Sequence, residues 1–169
     1  MNSSQELIIN LSESDLQKTR KKYVRAVVFN PQTKLFLFSY FPNIQGNNKQ
    51  GLIGGGIDEG EDEIQALTRE IIEETGFTNF EIMEKLGGNV LSPKDPEFDT
   101  KDIIKQNAAY LVILKSQANL SETSLSQREI ETGFSVEWKL PSEIKFGGFY
   151  SQYNIFLERA LQKIQDLKL

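Results

Sequence analysis

Three glutamates, Glu70, Glu73 and Glu74, fall inside a helical pattern that runs from Asp62 to Thr75. On an α-helix Glu73 lies about 60° to one side of Glu70 and Glu74 about 40° to the other, so the three carboxylates share one face. Leu67, Ile71 and Ile64 fall about 60–120° away from Glu70, which sets the apolar stripe beside the acidic face. The carboxylates therefore stand at the edge of the packed layer, where a cleft would be. Like charges one turn apart cost an isolated helix about 0.2–0.5 kcal/mol per pair, and a divalent cation would offset that cost. All-oxygen ligands of this kind suit Mg²⁺, with Mn²⁺ as the alternative. A solvated acidic helix face satisfies the same pattern, and on the helix alone the two readings weigh equally. The run Gly54-Gly55-Gly56 just before it shifts the balance, because backbone without Cβ atoms can approach a metal ion or a phosphate closely.

Composition narrows the chemistry further. The 169 residues contain no cysteine and no histidine. Disulfides, thiolate nucleophiles, imidazole bases and nearly every zinc site are excluded. An enzyme built from this chain must use carboxylates, lysines, hydroxyls or a hard metal ion. The net charge of −5 is a poor start for nucleic-acid binding, which relies on basic patches. The segment Gly55–Phe77 holds eight acids against Arg69 alone, a net −7, which leaves +2 for all the rest. One short stretch carries the whole negative excess. No apolar run approaches the ~20 residues of a membrane span, and the N-terminus lacks the pattern of a signal peptide. A cytoplasmic protein with no membrane partner is expected.

The spacing of these residues resembles a known family. Gly55, five residues, Glu61, seven residues, Arg69-Glu70, Ile71, one residue, Glu73-Glu74, one residue, Gly76 and Phe77 fill every position of the Nudix box, GX₅EX₇REUXEEXGU. At ordinary residue usage this match arises by chance on the order of once in 10⁷ sequences of this length. The flanks, YVRAVVFN…KLFLFS and GFSVEWKLPSEI, resemble the opening hairpin and the closing Trp-bearing strand of such domains. The resemblance implies an α/β/α sandwich with a mixed β-sheet and a loop–helix–loop that binds divalent metal and a diphosphate. It implies Glu70, Glu73 and Glu74 as metal ligands, helped by a backbone carbonyl near Gly55, with Gly54, Gly55 and Gly56 against the phosphates. Arg69 would fix a neighbouring glutamate. Glu61 would either orient the loop or reach the metal through water. A general base would come from the box, as Glu70, or from the late loop that holds Glu129 and Glu131. Glu122 stands further away. Ile53 departs from the family, many of whose members carry proline there.

The implied function is a Mg²⁺-dependent pyrophosphohydrolase for a small nucleoside diphosphate derivative, with ADP-ribose as the first guess. Pro93, in a loop with Pro96, is the thin signal for that substrate. The alternatives are a non-catalytic nucleotide-sensing domain and a hydrolase of nucleoside triphosphates or RNA 5′ ends. An isopentenyl diphosphate isomerase is disfavoured by the lack of cysteine. Arg25 could reach a phosphate or pair with an acid. Trp138, Phe41, Tyr110, Phe149 and Tyr150 could stack on a base, although core or rim placement is the stronger reading for each. A homodimer is left open.

Several elements must position these groups. Residues 1–22 read as a lead segment and 23–169 as the domain. Within the lead, Ser12 and Ser14 offer caps. The basic cluster Lys18–Arg25 reads as a solvated helix face or linker before a phosphate-binding patch. Tyr23–Phe29 and Lys34–Tyr40 form a hairpin across the turn Asn30–Thr33, and Phe41–Gln50 is a loop. The helix Asp62–Thr75 ends at Gly76. Phe80–Leu86 and Ala108–Lys115 are strands joined by a long polar connection, Leu91–Gln106. Asn119–Thr132 reads as polar loop, Phe134–Leu140 as a short strand and Pro141 as the start of a turn. Ser151–Leu167 is an amphipathic helix that turns Ile155, Phe156, Ala160 and Ile164 to the core. Strands alternating with two sizeable helices give an α/β protein.

Overall fold

A computed structural model of the chain describes residues 6–9, 17, 19–42, 49–91, 103–115, 125–144, 146 and 152–169. Its strands are β1 (Glu6–Ile9), β2 (Thr19–Asn30), β3 (Leu35–Phe41), β4 (Lys49–Gly51), β5 (Phe80–Leu91), β6 (Ile103–Leu114) and β7 (Ser135–Lys139). Its α-helices are α1 (Glu63–Thr75), α2 (Gln127–Thr132) and α3 (Asn154–Leu167). The strands join in one mixed sheet ordered β1-β5-β6-β2-β3-β4, with β7 also paired to β3. β2 runs parallel to β6 and antiparallel to β3, while β5 and β6 are antiparallel.

Alternation along β2 divides the interior. Val24, Ala26 and Val28 join Leu67 and Ile71 of α1 in one core, and Val27 and Phe29 join Phe156 and Ala160 of α3 in the other. Period-2 strands thus feed two helices on opposite faces, which makes the expected α/β/α sandwich. Full burial of Leu67 and Ile71 contributes about 1.5–3 kcal/mol each and seats α1 on the sheet. The capping box at the start of α1 fixes where it begins. Asp62 Oδ1 accepts from the Ile64 and Gln65 N–H groups at 2.9 and 2.8 Å, and Gln65 Oε1 accepts from the Asp62 N–H at 2.9 Å. Gly76 ends the helix at φ 73°, as its position in the sequence implies.

Several local expectations change, among them the loop Phe41–Gln50, whose ends belong to β3 and β4. Thr19–Lys22, expected in a linker or helix face, extend β2 and pair with Ile103–Gln106 of β6. Ile103–Gln106 are accordingly strand and not polar connection. β5 runs to Leu91 across register shifts at Ile82/Glu84 and Lys85/Gly87, which hide its alternation from the sequence. Gln127–Thr132, expected as loop, form α2 behind a Ser126 capping box. Glu6–Ile9, in the lead segment, pair in parallel with Gly88–Leu91 of β5. Ser12, Ser14, Lys18, Pro93, Pro96, Glu122, Phe149 and Tyr150 lie outside the described residues, as do most of the two long connections.

Candidate active site

The glycine loop lies along the free edge of β2. Ala26 N–H donates to the Ile53 carbonyl at 2.8 Å and Val24 N–H to the Gly55 carbonyl at 3.0 Å. Ile53 is fully buried, so strand pairing and packing hold the loop where a proline is absent. Gly54 has φ 129°, and a Cβ there would stand 2.2 Å from the Val24 carbonyl oxygen. A Cβ on Gly55 would fall 2.3–2.6 Å from the carboxylate of Glu70. These two glycines are required by contact. Gly56 is not, since a Cβ there would meet nothing within 4 Å.

Helix α1 delivers its carboxylates to this loop. Glu74 is 5% exposed, and its Oε2 accepts from the Gly54 N–H at 2.9 Å. Burial raises its carboxyl well above the ordinary value, against the Gly54 hydrogen bond and the charge of Arg25. Glu70 is 9% exposed and is also raised by burial, partly offset by Arg69. Glu73 stands more open, 3.3 Å from Arg69 Nη1.

Arg69 joins helix and loop. Its Nε and Nη2 donate to the two carboxylate oxygens of Glu61 at 2.8 and 2.9 Å, and Nη2 also reaches the Gly56 carbonyl at 2.9 Å. Its Nη1 donates to Glu70 Oε1 at 2.8 Å. This fork, with the Asp58 N–H, pulls the Glu61 carboxyl down to about 2. Glu61 thus bonds both the loop backbone and Arg69.

Arg25 donates through Nη1 to the Gly54 carbonyl and through Nε to Asn107 Oδ1 at 3.4 Å. Its charge acts on both Glu70 and Glu74. The two late acids separate. Glu129 lies close enough for its charge to raise Glu74, and its Oε2 caps α2 by accepting from the Ser126 N–H at 2.6 Å. Glu131 points to Gln127 Nε2 at 3.0 Å on the exposed side of α2.

The aromatic candidates within the described residues pack against protein. Trp138 stacks on Phe77 at 6.1 Å between centroids, and Phe41 meets Phe134 edge-on at 5.1 Å. Tyr110 donates its hydroxyl to Glu63. Sequence reasoning missed that contact, and it missed Asn107 and Asn89. Asn107 Nδ2 donates to Asn89 Oδ1 at 2.9 Å across the β5–β6 pair, and both strands carry other polar residues, so neither amide stood out in the sequence.

Among the described residues no group of three acids is already arranged as a ligand set. Glu70 and Glu73 both turn to Arg69, and Glu74 to Gly54. The donor chemistry still fits a hard cation. Two buried like charges converge on a cradle that the missing Cβ of Gly55 keeps open, and all the donors are oxygen.

Solved structures share the fold. A NUDIX hydrolase from Nitrosomonas europaea matches with a TM-score of 0.62 at 17% identity, over 86% of this chain and 90% of its own. The Ap4A hydrolase of C. elegans matches with a TM-score of 0.55 at 21% identity, over 89% and 100%. The NUDIX domain of Shewanella oneidensis NrtR, solved with ADP ribose, matches with a TM-score of 0.58 at 19% identity, over 92% and 94%. No curated protein matches the chain. The NUDIX domain model matches residues 19–157, which include the glycine loop, α1 and the sheet that carries them, and the chain belongs to that family.

Proposed function

We propose that the protein is a Mg²⁺-dependent hydrolase, with Mn²⁺ as the alternative ion, that cleaves the diphosphate of a small nucleoside diphosphate derivative. The observation that carries this reading is the pair of buried carboxylates, Glu70 and Glu74, packed against the backbone of Gly54 and Gly55. Glu70, Glu73 and Glu74, with the Gly55 carbonyl, would hold the ion, which when bound screens phosphate charge and acidifies the attacking water. Gly55 O already accepts from Val24, so one of its lone pairs is left for this purpose. Arg69 keeps Glu61 and the loop in place. Arg25 supplies positive charge beside the carboxylates for a phosphate oxygen. Glu129, the late acid whose charge reaches Glu74, is the favoured general base, with Glu70 next and Glu131 last. ADP-ribose is the first substrate to try, since the similar Shewanella domain was solved with it. A screen of diphosphate-linked nucleotides with Mg²⁺, reading mononucleotide release, tests the assignment. Turnover of one such compound that is lost in Glu74→Gln is expected. No turnover with any compound would sink it.

A second reading has an observation in its favour. Glu70 and Glu73 are engaged by Arg69, and no acidic triad is assembled among the described residues. A domain that binds a nucleotide without hydrolysing it would need no more. Such a protein would bind ADP-ribose equally with and without Mg²⁺.

A further inference from the structure

A cavity of about 240 Å³ opens beside the first turn of α1. Its floor is short of side chain. Gly88 and Ala108 stand opposite each other in the β5–β6 register and together place a single methyl group there. Interiors are otherwise close-packed, so two small residues in register leave a gap beneath the longer chains around them. Ala108 and Val24 belong to the α1 core, and Lys22, two residues before Val24, shares their face of the sheet. Arg25 alternates to the opposite face. Glu63 precedes Glu70 by two turns, about 10 Å along the helix. The cavity is thus apart from the carboxylate cradle.

Polar groups line its walls. Lys85 comes from β5, Gln106 from β6, Lys22 from β2 and Glu63 from the start of α1. Lys85 is held in place. Its Nζ donates to Glu63 Oε2 at 2.7 Å and lies 5.8 Å from the centre of the Tyr110 ring, while the Tyr110 hydroxyl donates to the same oxygen. An ammonium has three N–H donors, so Glu63 takes one and leaves two for another acceptor. Lys22 acts on Glu63 through its charge, with no ion-pair contact among the described residues. Two ammonium groups against one carboxylate give the walls a net charge of +1. Ile57, whose N–H donates to the Lys22 carbonyl at 3.0 Å, forms the wall next to the glycine loop.

We propose that this cavity is a second anion site, which takes the phosphate group of a small phosphate ester or of inorganic phosphate. β5 and β2 flank β6, so Lys85 and Lys22 approach from opposite sides, on strands about 10 Å apart. A phosphate presents acceptor oxygens in every direction and can meet both ammonium groups at once, with the Gln106 amide as a further donor. The proposed hydrolysis uses none of these groups.

NMR titration of the metal-free full chain with inorganic phosphate, and separately with ribose 5-phosphate, tests the site without turnover. Saturable amide shifts at Ile57, Gly88 and Ala108 are expected, larger than those at Gly54 and Gly55. Tighter binding of ribose 5-phosphate would identify an ester as the ligand, and equal or weaker binding free phosphate; either supports the site. Lys22→Met, at an exposed position, should weaken binding about tenfold, the worth of one charge-assisted hydrogen bond. Ala108→Leu, which puts a branched side chain on the floor, should abolish it. Glu74→Gln should bind as the wild type does. No saturable shift with either compound overturns the proposal whether or not a variant folds. Binding left unchanged by Lys22→Met, or lost in Glu74→Gln, overturns it too, since the anion would then sit in the carboxylate cradle or on open surface. The hydrolase reading fails separately, on the absence of turnover with Mg²⁺, and phosphate binding in this cavity would survive that failure.

Discussion

Burial makes the charge on Glu74 costly in the metal-free protein, and under the proposed function this predicts an inverse relation between function and stability. Its folded pKa is raised above the ordinary 4.5, so the protonated form contributes stability below that pH. The contribution is lost as pH rises through the raised value. Glu74→Gln keeps an acceptor for the Gly54 N–H and carries no charge. It should melt about 3 °C above the wild type at pH 7 in chelator, and the two should converge near pH 4. Mg²⁺ should reverse the order, because only the wild type gains about 2.7 kcal/mol at a hundredfold excess over Kd. Differential scanning fluorimetry at both pH values, with and without Mg²⁺, reads all four cases. Equal metal-induced shifts in both proteins would mean that Glu74 is no ligand. Glu129 and Glu131 separate by the same kind of local argument. Glu129→Gln should cost about 10²–10⁴ in kcat as the loss of a general base, while Glu131→Gln, on the exposed side of α2, should leave kcat unchanged. If Glu129→Gln retains wild-type kcat, the role passes to Glu70.

Helix α1 and the glycine loop work as one element because Arg69 ties them. Its planar fork meets both oxygens of Glu61 and the Gly56 carbonyl, a pattern that a lysine cannot reproduce. Arg69→Lys should therefore raise the rate of amide exchange at Asp58–Asp62 before it affects the sheet. The tie also has a pH window. Glu61 titrates at about 2 in the folded protein and 4.5 when released, so its contribution is present above 4.5 and fades as pH falls toward 2. Exchange measured by mass spectrometry between pH 5 and 2.5 should show the loop opening ahead of α3, and a simultaneous opening would refute the coupling. This element was the part most legible in sequence. Gly54, Gly55, Arg69 and Gly76 each meet a narrow physical requirement — close backbone approach, a planar fork, a left-handed cap — and the helix fixes the spacing of Arg69 and Gly76. The β5 bulges and the six-residue α2 were not legible, because a register shift breaks the period-2 pattern and a short helix shows too little of the 3.6 period. The contact between Asn107 and Asn89 was invisible for another reason. Its members lie eighteen residues apart in sequence and meet only when β5 pairs with β6.

Over the whole molecule, charge and topology argue for a small substrate and against a polymer. The negative excess is concentrated in the loop and helix that would face the scissile diphosphate. A long RNA must lay several phosphates along a surface, each on a lysine or arginine. The basic residues of Thr19–Lys22 instead belong to a β-strand, whose side chains alternate between the two faces of the sheet and cannot form one track. Among the described residues, Lys85, Lys115, Lys139 and Lys163 are each paired with a glutamate. A single diphosphate asks far less, since a bound ion and Arg25 can neutralise it. Salt separates the two cases. A protein with 6–10 phosphate contacts loses about 10³–10⁵ in affinity between 50 and 200 mM salt, whereas one or two contacts lose less than about tenfold. The kcat/KM for ADP-ribose at fixed Mg²⁺ should accordingly fall by less than about tenfold over that range. It should also exceed the value for 5′-triphosphorylated RNA at every salt concentration. A higher kcat/KM for the RNA, or a steep salt dependence with the small substrate, would overturn the small-substrate reading.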